Sequence, residues 1–455
     1  MPKVWTPKPY HLEALEFGLA HPKSGLILDM GLGKTAITLA MAQCLRSAGE
    51  LKHPILVSAP IRALYAVWPT EIEEWEDFND LCYFNLHEDP ELLYTETKPH
   101  IYGIAPDGLR KLCESGEIKR HKFSMLVVDE SAGYKNPSTK RFKTIENLLY
   151  MFPRRHILTG SFAPNGLVDI WSQVYLYDRG ESLGQKITHF RTKYCCRSED
   201  GFGWVVPVTR RDAIYDAIAP NCIRMDKREK LHIREPIINK IIVRLPPDVM
   251  KTYKEMEREF YTVVEQEGVY SPNAGVAGGR CRQIANGALY SPVDRRTLHI
   301  HNEKTAALAE LMENLQGKPL LIFYEFQHDL QRIRTILPHA PDLTGMADAS
   351  RICADFNEGK IPYLLGHAAS VGIALSLHKV CRDLCWFGVP WDLYVHDQAI
   401  SRVWGRGDAD YDVTFHYIMA ERTLDFRALS ILAEKRREQD DLYRAIILRQ
   451  DCNTV

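Results

Sequence analysis

The first half of the chain alternates short hydrophobic runs with stretches whose apolar residues recur at helical spacing. Each run ends in a polar or glycine-containing turn, which predicts four buried strands, at 26–28, 54–60, 125–130 and 156–161. Helical patterns follow the first, second and fourth runs. Because strands and helices alternate in this way, the sequence predicts an α/β fold with a parallel sheet.

The second half repeats the alternation without a second glycine-rich loop. Strands are predicted at 237–245, 319–324, 361–365, 383–387 and 413–418. A long charged helix is predicted at 250–265, and the stretch 269–279 reads as a loop because it is rich in Gly, Ala, Ser and Pro. The charged stretch 424–447 is typical of a solvated packing helix. We therefore expect two α/β domains, 1–228 and 229–455, with a cleft between them.

Composition narrows the class of protein. The chain has 455 residues, 45% of them hydrophobic and 25% charged, which is ordinary for a globular enzyme of two or three domains. The N-terminus lacks the apolar core of a signal peptide, and no apolar run approaches the roughly 18 residues of a membrane span. We therefore expect a cytoplasmic protein that binds no membrane. The net charge of −2 gives no global sign of nucleic-acid binding, so such binding must come from local patches.

The cysteines give little sign of a metal site. None of the 11 cysteines forms a CxxC pair. His378, Cys381 and Cys385 form one short cluster without a second pair, which favours buried thiols over a metal centre.

The strongest local signal lies between the first strand and the first long helix. Gly31 and Gly33 allow the backbone to bend so that its N–H groups point at an anion, and the helix N-terminus adds partial positive charge. Lys34 is expected to reach the outer phosphates and Thr35 to hold Mg²⁺. The pattern GxxxxGK[ST] would place a small residue at Leu28. The predicted ATP-binding residues of this loop are Asp29, Met30, Gly31, Leu32, Gly33, Lys34 and Thr35.

Two carboxylates follow the apolar run that begins at Met125. Asp129 is predicted to bind Mg²⁺ through water, and Glu130 to orient or deprotonate the attacking water. Near the N-terminus, Tyr10 and His11 could stack on and hydrogen-bond to an adenine, although a first helix with a Tyr contact explains them equally well.

These segments resemble motifs I, II and III of the Swi/Snf-like branch of superfamily-two helicases. The resemblance rests on Asp-Met-Gly-Leu-Gly-Lys-Thr (29–35), Asp-Glu-Ser-Ala (129–132) and Leu-Thr-Gly-Ser-Phe-Ala-Pro-Asn-Gly-Leu (158–167). Pro9-Tyr10-His11 resembles the Q-motif of that branch, with His11 where the family has Gln. The resemblance covers nearly the whole chain and is nearest to the compact members that bacteriophages and prophages carry. It implies two RecA-like lobes with a nucleotide cleft between them.

The second lobe carries a segment that is similar to motif VI. Gln398 and Arg402 match the family pattern, whereas Gly405 stands at the position of the second arginine and Arg406 is displaced by one residue. The resemblance implies that Arg402, and by our hypothesis Arg406, lend positive charge to the γ-phosphate in the transition state. An exposed loop arginine is the alternative interpretation of Arg406.

The resemblance implies an ATP-dependent DNA helicase or translocase, with ATP and Mg²⁺ as cofactors. The expected partner is duplex or branched DNA, bound without sequence specificity, in replication, recombination or DNA remodelling. Replication or recombination proteins are candidate partners of a chain that we expect to be a monomer. If the chain is phage-encoded, it would act in the bacterial host cytoplasm. The alternatives are a strand-separating helicase and an ATP-gated DNA-binding or assembly factor with weak or lost turnover.

Overall fold

The computed structural model describes residues 2–197, 203–231, 233–267, 272–291, 293–344, 348–371, 377–405 and 411–453. The chain divides into two compact units. Unit 1 comprises Met1–Cys196, Val205–His232 and Arg437–Val455, and unit 2 comprises Arg197–Trp204 and Ile233–Arg436. Within the described residues, no helix is both long and apolar enough to cross a bilayer.

Unit 1 is built on a parallel sheet whose strands, among the described residues, lie in the order β3-β4-β2-β5-β6-β1-β9. The short strands β7 and β8 pair with each other outside it. The bounds are β1 (Lys23–Leu28), β2 (Ile55–Ser58), β3 (Tyr83–Asn85), β4 (Ile101–Ile104), β5 (Met125–Asp129), β6 (Arg154–Thr159), β7 (Cys196–Arg197), β8 (Trp204–Val205) and β9 (Cys222–Met225).

Helices flank this sheet, and the central strands are buried along nearly their whole length. That burial explains why these strands are almost continuously apolar in sequence. The helices are α1 (Pro9–Ala20), α2 (Lys34–Ser47), α3 (Ile61–Ala66), α4 (Trp68–Glu74), α5 (Pro106–Glu114), α6 (Lys140–Glu146), α7 (Ile170–Asp178), α8 (Ile187–Tyr194), α9 (Val208–Ile218) and α10 (Lys227–Leu231).

Unit 2 has a second parallel sheet, in the order β10-β16-β15-β13-β14, and a small antiparallel pair, β11-β12. Its strands are β10 (Ile237–Val243), β11 (Ala288–Tyr290), β12 (Thr297–His299), β13 (Leu320–Tyr324), β14 (Tyr363–His367), β15 (Asp383–Trp386) and β16 (Thr414–Ala420). The helices are α11 (Pro247–Glu267), α12 (Pro272–Asn286), α13 (Glu303–Leu315), α14 (Gln327–Ile336), α15 (Ala349–Asn357), α16 (Ala368–Val371), α17 (Leu393–Ile400) and α18 (Leu424–Asn453). The predicted α/β class with parallel sheets is confirmed.

The predicted loop at 269–279 is wrong from Pro272 onwards, because α12 begins there and packs against α11. Residues 269–271 lie outside the described residues. Ala277, Cys281 and Ile284 follow helical spacing and are buried in the core of unit 2. Their burial outweighs the poor helix propensity of the neighbouring glycines.

The last helix is also less solvated than its charged sequence indicates. The predicted helix is present as α18, but Leu442, Tyr443 and Ile446 are buried, as is the polar side chain of Gln439. Residues 437–453 of this helix belong to unit 1, whereas residues 424–436 belong to unit 2.

Candidate functional site

The glycine-rich loop connects β1 to α2 in unit 1. Gly31 and Gly33 have φ angles of 92° and 71°, which lie in the left-handed region that glycine adopts without strain. A Cβ atom at Gly33 would also lie 2.9 Å from Nε2 of His11. The loop therefore needs glycine at position 33 both for its backbone conformation and for the close approach of His11. α2 begins immediately afterwards, so its free N–H groups and positive dipole end are available to an anion.

Lys34 is the first residue of α2 and is half-buried. Its Nζ donates to the carbonyl oxygens of Leu28, at 2.9 Å, and Asp29, at 3.4 Å. Loss of hydration lowers the pKa of Lys34, while the carboxylates of Glu130, Asp129 and Asp29 act in the opposite direction. Thr35, in the same turn, is buried. The ammonium group thus lies near acidic groups, and its hydrogen-bond acceptors among the described residues are carbonyl oxygens that a phosphate could replace.

Asp129 ends β5 and Glu130 follows it. Asp129 accepts hydrogen bonds from Trp68 Nε1, at 3.3 Å, and from the backbone N–H of Glu130, at 3.0 Å. Burial, assisted by the charge of Glu130 and opposed by Lys34, raises the pKa of Asp129 to about 6. A cation bound beside Asp129 would stabilise the charged form of this carboxylate.

Glu130 has two features of a residue held for a ligand. It is a non-glycine residue with a φ of 53°, a sparsely populated conformation that surrounding structure must maintain. Its Oε2 is buried and accepts no hydrogen bond from any described residue. Carboxylate and hydroxyl oxygens are the ligands that Mg²⁺ prefers, and an unpaired buried carboxylate oxygen suits a water molecule. The residues present therefore fit a bound magnesium nucleotide and its attacking water.

His11 lies beside the glycine loop, with Tyr10 buried next to it in α1. The backbone N–H of Lys8 donates to His11 Nδ1 at 3.1 Å, which assigns the proton of the neutral ring to Nε2. Burial, and to a lesser extent Lys8, lowers the pKa of His11 to about 4, so the ring is neutral at pH 7. His11 therefore presents a single N–H donor near Gly33.

Sequence reasoning missed Arg224, which lies on the short edge strand β9. Its Nη2 is 2.7 Å from Asp29 Oδ1, and its Nη1 donates to the carbonyl of Ile27. Although burial acts against the charge, Asp29, Tyr443 and Asp226 raise the pKa of Arg224 above its usual value. The backbone N–H of Lys227 also donates to Asp29. Only the pattern Cys-Ile-Arg-Met-Asp (222–226), an arginine inside an apolar run, marks this site in the sequence.

Comparison with known proteins assigns the family. A model of the SNF2-related domain matches residues 10–280. A putative protein of Acyrthosiphon pisum secondary endosymbiont phage 1 is 30% identical over 467 residues, covering 98% of this chain and 99% of the phage protein. The chain belongs to the SNF2-related family.

Two further matches are more distant. An uncharacterized ATP-dependent helicase of Mycoplasma genitalium is 24% identical over 93% of this chain, and the chain spans 40% of that helicase. The SWI2/SNF2 ATPase core of Sulfolobus solfataricus, solved in complex with dsDNA, has a TM-score of 0.47 and 22% identity; the match covers 97% of this chain and 94% of that one.

Two further predicted residues of this SNF2-family chain lie in unit 2. Gln398 is on α17, and Arg402 follows the end of that helix. Arg402 is only 4% exposed, and its guanidinium donates to Gln398 Oε1 at 2.9 Å and to the Gln398 carbonyl at 3.2 Å. Arg406 lies outside the described residues. The structure thus brings Lys34, Asp129 and Glu130 together in unit 1, and Gln398 together with Arg402 in unit 2.

Proposed function

We propose that this SNF2-family protein is a DNA-dependent ATPase, a helicase or translocase that couples ATP hydrolysis to movement along DNA. The observation that supports this most is the grouping of Lys34, Asp129 and Glu130 beside a glycine loop at a helix N-terminus, where Glu130 Oε2 has no partner among the described residues. This set suits phosphoryl transfer to water, because each group has a defined part in that reaction.

In the proposed mechanism, residues 29–35 bind the phosphates of ATP, while Tyr10, His11 and Gln398 contribute to nucleotide binding. Thr35 and Asp129 would hold Mg²⁺, which when bound neutralises charge on the phosphate oxygens. Glu130 orients the water and takes its proton as the water oxygen attacks the γ-phosphorus. The bond to the bridging β–γ oxygen breaks, and ADP and phosphate leave. Lys34, Arg402 and Arg406 stabilise the charge that develops on the transferred group.

We propose that the chain forms two RecA-like domains. The N-terminal domain, 1–228, would bind ATP, and the C-terminal domain, 229–455, would be the second helicase domain. The proposed partner is duplex or branched DNA, held through phosphate contacts that carry no sequence information. Binding should therefore weaken steeply with salt. The helicase name of the Mycoplasma genitalium relative supports this class of activity. Replication, recombination and DNA remodelling are the proposed settings, with proteins of those processes as further partners.

The deciding experiment measures phosphate release without DNA and with single-stranded, duplex and branched DNA. We expect DNA to stimulate the wild-type protein and to leave Lys34→Ala and Glu130→Gln near background. Glu130→Gln should still bind Mg·ATP, since it keeps the shape of the side chain and removes only the base. Lys52→Ala, which changes an exposed lysine of the same unit, is the matched control. Wild-type turnover that is equal with and without DNA would refute the proposal.

A second candidate is an ATP-gated DNA-binding or assembly factor that has lost turnover. Two observations favour it: Gly405 replaces an arginine of the family pattern, and Arg402 already binds Gln398. This candidate predicts that ATP changes the affinity for DNA while the wild type releases no phosphate. For an active enzyme, an unwinding assay on a forked duplex separates a strand-separating helicase from a duplex translocase.

A further inference from the structure

The C-terminal part of α18 is fixed to the turn that follows β6. The hydroxyl of Tyr443 accepts a hydrogen bond from the backbone N–H of Phe162, at 3.0 Å, and donates to the carbonyl of Gly160, at 3.1 Å. Ser161 Oγ donates to Gln439 Oε1 at 2.8 Å. Three successive residues of this turn are therefore held by two buried side chains of one helix. The turn belongs to the segment 158–167 that resembles motif III.

The ring of Tyr443 reaches towards the glycine loop as well. The guanidinium carbon of Arg224 lies 3.8 Å from the centre of the ring, a close cation–π contact in a buried position. Arg224 in turn pairs with Asp29 at 2.7 Å. The hydroxyl of Tyr443 is thus linked to the turn after β6. Its ring is linked, through Arg224, to Asp29, the first residue of the glycine loop.

A third buried side chain, that of Gln173 on α7, extends this network to the residue that follows Glu130. Gln173 Nε2 donates to the carbonyl of Phe162 at 2.6 Å, and its Oε1 accepts from Ser131 Oγ at 2.8 Å. Ser131 directly follows Glu130 and is fully buried, as is Gln173. Three segments around the candidate site, 29–35, 129–132 and 158–167, are therefore joined by hydrogen bonds and contacts that pass through Phe162 and Tyr443.

We propose that Tyr443, on α18, is a positioning residue for the ATPase site. The proposal rests on the proposed function, because it concerns the residues of that same reaction. The tyrosine ring holds Arg224 against Asp29 and so favours the nucleotide-binding form of the glycine loop. The hydroxyl holds the turn 160–162 and so supports turnover rather than nucleotide binding.

Two substitutions separate the proposed roles of the ring and the hydroxyl. Tyr443→Phe removes both hydrogen bonds to the turn and keeps the ring over Arg224. We expect it to lower DNA-stimulated kcat about tenfold and to change KM for ATP less than twofold. Tyr443→Leu removes the ring as well, and we expect an additional rise of about fivefold in KM and in the Kd for Mg·mant-ATP. Gln439→Leu should reproduce the Tyr443→Phe effect more weakly.

The same experiment includes controls for correct folding of the variants. Glu438 pairs with Arg211, and Arg449 pairs with Asp212 and Asp216, so α18 keeps other attachments to α9 when Tyr443 is changed. Leu448→Ala, at an exposed position of the same helix, should leave kcat, KM and the melting temperature unchanged. Unchanged kcat in Tyr443→Phe would overturn the proposal. The proposal would also be overturned if Tyr443→Phe and Tyr443→Leu lost kcat equally and both losses accompanied a lower melting temperature.

Failure of the proposed function would be visible separately. If the wild type hydrolyses ATP equally with and without DNA, the proposed function fails. The binding of Mg·mant-ATP to Tyr443→Leu would still test the contact with Arg224, because binding requires no turnover. Unchanged mant-ATP affinity in that variant would overturn the role of the ring.

Discussion

Two lysines, one in each unit, show how similar sheets are used differently. Lys34 of unit 1 is half-buried, donates among the described residues to the carbonyl oxygens of Leu28 and Asp29, and lies near three carboxylates. Lys304 of unit 2 is 0% exposed and is fixed by Asp425, at 2.7 Å, and Asn286, at 2.8 Å. Asp425 also accepts from the backbone of Ala420.

The difference lies in which groups remain available. In unit 2, the ammonium group and its carboxylate partner are matched inside the core, so the pair connects α13 to α18 and leaves little for a ligand. In unit 1, Glu130 Oε2 is buried without a partner among the described residues. A buried polar atom that stays unpaired costs stability. Because the Glu130 carboxylate acts on the charge of both Lys34 and Asp129, a bound ligand and its water would supply the missing partner at this position.

The largest expected effects come from exchanging these two lysines for uncharged residues. Lys34→Ala should lower ATP turnover by about 10²–10³-fold, because it removes a preorganised charge, and should leave the unfolding midpoint unchanged. Lys304→Met should instead lower the free energy of unfolding by about 3–5 kcal/mol, because Asp425 remains buried without its partner, and should leave ATP turnover of the folded protein unchanged. Phosphate release and urea unfolding, measured on both variants, test the pair of effects.

A double variant provides the control for Lys304. Adding Asp425→Leu to Lys304→Met removes both charges and should recover much of the lost stability, since hydrophobic replacement of a whole buried pair is often neutral. If Lys304→Met instead lost turnover at full stability, the contrast between the two lysines would be wrong.

Buried histidines extend the comparison to the pH dependence of stability, in which we expect the two units to behave alike. His156 of unit 1 bonds to Ser24, and His301 of unit 2 bonds to the carbonyl of Ile284. Burial lowers the pKa of His156 to about 3 and that of His301 to about 4, both below the unfolded value of 6.5. The unfolded chain therefore takes up protons first as the pH falls below 6.5. By linkage, each histidine should remove about 2 kcal/mol of stability between pH 7 and pH 5.

Urea unfolding at several pH values measures this loss. His156→Gln and His301→Gln should each flatten the dependence of the unfolding free energy on pH, whatever their effect at pH 7. A slope that remains the same in both variants would show that other groups cause the acid sensitivity.

The sequence predicted those parts of the site that depend on neighbours along the chain. Lys34, Asp129 and Glu130 follow strands that their own apolar runs define. Arg224 and Tyr443 were missed because their partners, Asp29 and the turn after β6, are distant in the chain and meet only when the sheet is assembled. The wrong loop has a related cause: Ala277 and Cys281 form a helix through burial against α11, which the composition of 269–279 does not reveal.

The smallest effect concerns the base of the nucleotide and tests whether unit 1 leaves polar groups available to a ligand. His11 Nδ1 is occupied by the Lys8 backbone, so only the Nε2–H can reach a base. Adenine and guanine both offer the N7 acceptor, and they differ in the adjacent group, an amine in adenine and a carbonyl in guanine. A lone donor discriminates poorly between them.

His11→Gln supplies an acceptor for the adenine amine and should raise the ratio of kcat/KM for ATP over GTP about fivefold, equivalent to about 1 kcal/mol. His21→Gln, at the opposite end of α1, should leave the ratio unchanged. A wild-type protein that already prefers ATP more than a hundredfold would mean that groups other than His11 select the base.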